Sequence, residues 1–305
     1  MTVKPNFFIV GAPKCGTTSL DYYLKQHPEI FVPDVKELHY FGSDLLAKKH
    51  PLANKFDEQT YLEFFKENKY AKIIGEASVM YLFSKKAAQE IHEFNNNAKI
   101  IIMLRNPIEM MYSLHSQNLS TCDEDIQDFG RALDAEKLRK KGELIPKKSL
   151  VIQDALLYKS VAKYSEQLER YTNIFTEKNI HIMLFDDFIK DTKNEVREVF
   201  KFLAVSDTEF KINLEIKNTN SMLRNRKLYY FINRPNSQVK KLVKKILPTQ
   251  LRRLIASKVN SMNTIETKRG KMSEELLHHL NKEFANSINN LEQLIKKDLT
   301  KWKQK

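Results

Sequence analysis

The sequence predicts an α/β protein, in which a P-loop-like parallel β-sheet is flanked by helices and followed by a helical lid region toward the C-terminus. Three observations predict it. Short runs of β-branched and aromatic residues alternate with longer stretches of helical apolar spacing. The first run passes through a tight glycine-bounded loop directly into a helix. A loop of that kind, an acid and an arginine each stand at the carboxyl end of a strand, where parallel sheets gather their ligands.

The elements follow in order. Phe7, Phe8, Ile9 and Val10 form the first buried strand, and Gly11 to Gly16 form the loop. Thr17 starts a helix carrying Leu20, Tyr23 and Leu24, which should end near Gln26-His27-Pro28 because the residue before proline is pushed out of the helical region. Ile30 to Val32 is a short extended piece, and Lys36 to Gly42 a loop beside the site. A helix is expected over Asp57–Lys66, with Tyr61, Leu62 and Phe65 on one face. Lys72 to Glu76 is a second buried strand, and Lys85–Phe94 a helix. Ile100 to Leu104 is the third strand; it ends at Arg105-Asn106-Pro107, and Pro107 suits the first turn of the next helix. Asp123–Lys141 reads as a polar surface helix, and Val151–Tyr171 as one long amphipathic helix. His181 to Phe185 is the fourth strand, and Asp191–Leu203 another helix. Ser273 is placed as an N-cap, with Glu274 and Glu275 in the first turn and a stripe of Leu276, Leu280, Phe284, Ile288, Leu291 and Leu294. Strands alternating with helices imply right-handed crossovers. No repeat or linker interrupts the chain, so residues 1–305 are expected to form one domain with a basic helical insertion at about 221–260.

The chain has 305 residues, 42% hydrophobic and 29% charged, within the ordinary range for a globular protein. No apolar run reaches the roughly 20 residues that span a bilayer, and the start carries no signal-peptide pattern. With only Cys15 and Cys122, no disulfide framework is implied. A cytoplasmic location is expected, with membrane association open. The net charge of +13 is concentrated: eleven Lys and Arg, with no Asp or Glu, lie between Ser221 and Asn260. Leu242, Val243, Ile246, Leu247, Leu251, Leu254 and Ile255 interleave with them, as in an amphipathic helix that could cover an anionic acceptor, lie on an anionic membrane, or simply pack on the core.

Strand, glycine loop and helix start make an anion cradle: the first-turn N–H groups and the macrodipole favour a negative ligand. Thr17, Thr18 and Ser19 add hydroxyls, and Lys14 adds a cation. A Walker A loop would place lysine directly after the second glycine, but Thr17 stands there. Glu76, at the end of a hydrophobic strand, is a candidate general base or, equally, a structural acid. Arg105 and Ser113 lie two helical turns apart and can face one cluster of ligand oxygens. No cysteine or acid stands at ligand spacing from the eight histidines, so no metal is expected.

The stretch G-A-P-K-C-G-T-T-S-L at Gly11 to Leu20 resembles the signature loop of the sulfotransferases that use 3′-phosphoadenosine 5′-phosphosulfate (PAPS) and release 3′-phosphoadenosine 5′-phosphate (PAP). The resemblance implies that Lys14, Cys15, Gly16, Thr17, Thr18 and Ser19 grip the 5′-phosphosulfate, with Lys14 also stabilising the leaving oxygen. Leu104-Arg105-Asn106-Pro107 through Tyr112-Ser113 resembles the 3′-phosphate motif, and Thr267 to Lys271 the basic glycine loop over the nucleotide, which assigns Lys268, Arg269 and Gly270 to the donor. Gly75-Glu76-Ala77-Ser78-Val79-Met80-Tyr81-Leu82 is similar to a stretch of the glycan-type members that carries a catalytic glutamate, which favours Glu76 as base over its rival His39; Ala77 and Val79 replace the usual lysine and proline. Lys36, Glu37, His39 and Phe41 resemble a K-E-x-H-x-F stretch of those members, placing Lys36 and His39 near the acceptor.

The function implied is sulfuryl transfer from PAPS, without a metal, to an acceptor hydroxyl, a carbohydrate being the expected partner and nucleic acid not. One alternative is a P-loop kinase or NTPase, against which stand the missing Walker lysine and the lack of a strand-end Asp for Mg²⁺. The other is a basic membrane- or nucleic-acid-binding protein, which leaves the loop, Glu76 and Arg105 without purpose.

Overall fold

The computed structural model describes residues 4–45, 57–67, 71–147, 149–206, 212–214, 221–233, 249–267 and 270–303. Five parallel strands form the central sheet: β1 (Phe7–Gly11), β2 (Ile30–Phe31), β3 (Ile73–Ala77), β4 (Lys99–Leu104) and β5 (Ile180–Leu184), in the order β2-β3-β1-β4-β5. β1 is central, with Phe7 opposite Gly75 on one side and Lys99 on the other. Strands covered on both faces read as unbroken apolar runs, and all five residues of β1 are buried. Gly75 allows the tight packing beside it, since a Cβ there would stand 2.3 Å from the Phe7 carbonyl oxygen.

Helices α1 (Thr17–Leu24), α2 (Glu58–Glu63), α3 (Ala87–Phe94) and α4 (Pro107–Ser120) follow the sheet strands much as the sequence predicts. Asn106 caps α4: its side-chain oxygen accepts the Ile108 and Glu109 N–H groups at 2.9 and 3.3 Å, and Pro107 occupies the first turn. The helix Glu274–Ile295 has the expected Ser273 cap, with Leu280, Phe284, Ile288 and Leu291 buried against the core. Helices Arg226–Asn233 and Thr249–Asn263 of the basic segment lie between the two short strands of an antiparallel pair, Ser221–Leu223 and Thr264–Glu266. Residues 234–248, with Leu242, Val243, Ile246 and Leu247 of the apolar series, lie outside the described residues.

Two expected helices are corrected. Val151–Tyr171 is three pieces, Gln153–Leu156, Tyr158–Val161 and Tyr164–Thr172. Side chains take the carbonyls that a continuous helix would use: Arg139 donates to Leu156, and Gln167 to Ser160 and Val161. Asp123–Lys141 is neither continuous nor wholly on the surface; it contains Phe129–Asp134 and Glu136–Arg139. It also buries an ion pair, Arg139 to Glu124 at 2.7 Å, with both side chains fully enclosed. Tyr158 donates to the same carboxylate at 2.8 Å. Removing one member of such a pair strands a charge, so Arg139→Ala is expected to cost about 3–5 kcal/mol. Urea unfolding followed by circular dichroism checks this; a shift below about 1 kcal/mol would show that Glu124 tolerates isolation.

Candidate active site

A cleft of about 370 Å³ opens at the carboxyl ends of β1, β4 and β5. Its walls include Pro13, Lys14, Gly16, Thr17, Thr18 and Ser19 from the first loop and α1, Arg105 after β4, and Ser113 and Gln117 from α4. Phe185 and Phe188, just beyond β5, line another side, and Glu37 and Val79 border it.

The loop shape follows from its glycines. At Gly11 a Cβ would meet Leu82 Cβ at 2.7 Å and the Val79 carbonyl at 2.8 Å. Gly16 is the N-cap of α1 with φ +89°, a left-handed position where glycine escapes the side-chain penalty. No side chain caps α1 and no acid stands in its first turn, so its N-terminal N–H groups suit an anion. Lys14 also has a left-handed backbone, φ +62°, and its Nζ donates to Gln117 Oε1 at 2.6 Å. Lys36 Nζ donates to Thr18 Oγ1 at 3.1 Å, bringing a second cation to the loop. Cys15 contributes no side chain to the cleft: it is fully buried, and burial pushes its thiol pKa up to about 12. It can face a ligand only through its backbone.

Arg105 lies with its guanidinium 4.6 Å from the Phe185 ring centroid and 3.0 Å from Glu109. Ser113 is 3% exposed and shares the cleft with it. Gly270 is one step away: its carbonyl accepts the Tyr112 hydroxyl at 3.0 Å, and it borders an adjoining depression that also touches Arg105. Lys268 and Arg269 lie outside the described residues.

The carboxylates divide differently from the sequence expectation. Glu76 is 1% exposed and does not line the cleft. Tyr61 and Tyr81 donate to its Oε1 at 2.7 and 3.0 Å, and Ser78 to its Oε2 at 2.9 Å. Burial pushes its pKa up to about 7, with the three hydroxyls pulling the other way. Glu37 is the carboxylate on the cleft wall among the described residues. Its Oε2 accepts the Val79 N–H at 3.0 Å, and its Oε1 lies 3.8 Å from Lys36 Nζ. His39 is buried, with Nε2 3.5 Å from Glu37 Oε2; burial holds its pKa down to about 4, so that contact joins a neutral ring to a carboxylate. The sequence reading therefore missed Glu37, Gln117, Phe185 and Phe188. For Glu37 a signal existed, an acid beside Lys36 in a stretch already noted; for Phe185 it was the end of a parallel strand.

Among the described residues, no group of three or more His, Cys, Asp and Glu could hold a metal ion, and no helix is long and apolar enough to cross a membrane.

The sulfotransferase domain family model matches residues 4–303. The chain belongs to that family. Members use PAPS as donor, and this sulfotransferase places its first loop and Arg105 in one cleft. A crystal structure of a sulfotransferase from Alicyclobacillus acidocaldarius matches at TM-score 0.74 and 28% identity, covering 99% of this chain and 100% of that one. Human carbohydrate sulfotransferase 15 is 27% identical over 254 residues, 65% of this chain and 43% of its own length. Membrane-associated sulfotransferase kil1 of Dictyostelium discoideum is 38% identical over 109 residues, 36% of this chain and 22% of its own. The chain thus spans less than half the length of these two curated relatives.

Proposed function

We propose that this sulfotransferase moves the sulfuryl group of PAPS to a carbohydrate hydroxyl by in-line displacement, with Glu37 as the general base. The observation that supports it is the convergence of Lys14, Thr17 to Ser19, Arg105, Ser113 and Glu37 on one cleft. Bound there, the donor supplies an activated sulfuryl group on a phosphate leaving group. Lys14 and the start of α1 neutralise the 5′ end and the charge that grows on the leaving oxygen. The Arg105 fork and Ser113 suit the dianionic 3′-phosphate, and the face of Phe185 suits the purine. Glu37 takes the proton from the acceptor hydroxyl. Its wall position is what distinguishes it from Glu76, which lies off the cleft and accepts three hydroxyls.

The names of carbohydrate sulfotransferase 15 and of the mouse heparan sulfate glucosamine 3-O-sulfotransferase 5, 25% identical over 211 residues, support a glycan acceptor. Residues 1–305 are read as one sulfotransferase domain, in a cytoplasmic enzyme that touches an anionic membrane. Supporting the membrane contact are the acid-free basic segment, its exposed Phe231 and Ile255, and the name of the kil1 relative.

Calorimetry is expected to give tight binding of PAP and none of ATP with Mg²⁺. Radiolabelled PAPS should label desulfated heparan or chondroitin, and phosphatidylserine vesicles should retain the protein where neutral vesicles do not. Binding of ATP in place of PAP would overturn the donor, labelling of simple alcohols alone the glycan, and equal retention by both vesicles the membrane contact.

A further inference from the structure

Glu76 stands outside the cleft, yet its hydroxyl partners hold the loop that carries Glu37. A carboxylate offers only lone pairs, and a hydroxyl has one proton to give. Tyr81 and Ser78 spend that proton on Glu76, which leaves their oxygens as acceptors on the far side. There the Tyr81 oxygen accepts the N–H groups of Tyr40 and Phe41 at 2.9 and 3.3 Å, and the Ser78 oxygen accepts that of His39 at 3.2 Å. Tyr61, the third donor, stacks its ring on Tyr40, with centroids 4.1 Å apart and planes 8° apart. One buried acid is thereby tied to three successive backbone amides and one side chain of the loop.

That loop needs holding. Glu37 and His39 both have left-handed backbones, φ +57° and +49°, which costs a residue with a Cβ roughly 1–2 kcal/mol. Beyond the hydroxyl contacts, the loop meets β3 through the Glu37 N–H on the Ala77 carbonyl at 3.0 Å and meets Val79 through the Glu37 carboxylate.

We propose that Glu76 is a positioning residue for sulfuryl transfer: its carboxylate orients the Tyr81 and Ser78 hydroxyls as acceptors for residues 39–41, and so fixes Glu37 on the cleft wall. The proposal deepens the reading of Glu37 as base and rests on it. It assigns Glu76→Gln a specific defect. The new amide NH₂ donates to a hydroxyl that formerly donated, and the turned hydroxyl then points its own proton at a backbone N–H.

Amide hydrogen exchange tests this without an acceptor. In Tyr81→Phe exchange at Tyr40 and Phe41, and in Glu76→Gln exchange within residues 39–41, is expected to speed up by roughly five- to tenfold, the worth of one net hydrogen bond. PAP affinity and exchange in the first loop should not change. Ser78→Ala, a milder variant should Glu76→Gln not fold, is expected to expose the His39 amide alone. Turnover of labelled PAPS with desulfated heparan should lose kcat, not KM for PAPS, and Glu76→Gln with Tyr81→Phe should be no worse than the poorer single variant. Unchanged exchange at residues 39–41 in all three variants would overturn the proposal. So would full loss of turnover in Glu76→Gln alongside normal turnover in Tyr81→Phe, the pattern of a direct base. Failure of the underlying reading looks different: Glu37→Gln would then turn over normally, while the exchange results would still report on the cage.

Discussion

Replacing Glu37 with glutamine is expected to lower kcat by about 10²–10⁴-fold, the usual contribution of a positioned general base. The change is nearly isosteric, and the amide oxygen can still accept the Val79 N–H that the carboxylate accepts at 3.0 Å. The loop should therefore stay in place while proton abstraction fails. PAP affinity should be almost unaffected, because the groups assigned to the nucleotide lie on the first loop, α1, Arg105 and α4. Calorimetry with PAP beside initial rates with labelled PAPS separates the two effects. Normal turnover in Glu37→Gln would remove Glu37 from the mechanism and return the question to Glu76 and His39.

Lys14→Ala is expected to lower kcat by about 10²–10³-fold, the range found when one preorganised donor to a developing charge is removed. The sulfuryl group carries less charge than a phosphoryl group, so a lysine can neutralise the leaving oxygen without a divalent ion. Lys14 sits in a left-handed backbone position on the cleft wall with its Nζ 2.6 Å from Gln117 Oε1, an arrangement that aims the ammonium rather than leaving it on a flexible stem. On the proposed reading the lysine meets both donor and leaving group, so KM for PAPS should rise as well, but by a smaller factor than kcat falls. Lys36, bonded to Thr18 Oγ1, stands close enough to retain part of the grip on the 5′ end. A variant that loses only PAPS affinity, with kcat intact, would reduce Lys14 to a binding residue.

The sheet and the meeting of the first loop with Arg105 in one cleft were legible because their chemistry is concentrated in short stretches. Phe7 to Ser19 carries strand, loop, helix start and hydroxyls without interruption, and Arg105 is followed at once by a proline that marks a helix beginning. The proposed base was not legible in the same way. Glu76 and Glu37 are both acids near strand β3, and what separates them is the company of Tyr61, Ser78 and Tyr81, which the chain brings together from positions 61 to 81. Periodicity failed where side chains interrupt backbone ladders: residues 151–171 keep a helical apolar spacing, yet Arg139 and Gln167 take the carbonyls a continuous helix would have used. It failed again at Glu124 and Arg139, whose charges suggest a wet surface but whose pairing puts them inside.

The first of the five sheet strands in chain order, β1, is the middle of the sheet, and its neighbours are supplied by residues 73–77 on one side and 99–104 on the other. A nascent chain that has emerged only as far as α3 can flank β1 on one side but leaves the other side open, including the Ala12 N–H that will later donate to the Met103 carbonyl. The first loop thus reaches its final setting only after β4 has been made and paired, and parallel pairings at such separations are slow to close. During that interval an apolar strand stands with an unpaired edge, the kind of edge that invites pairing with another chain.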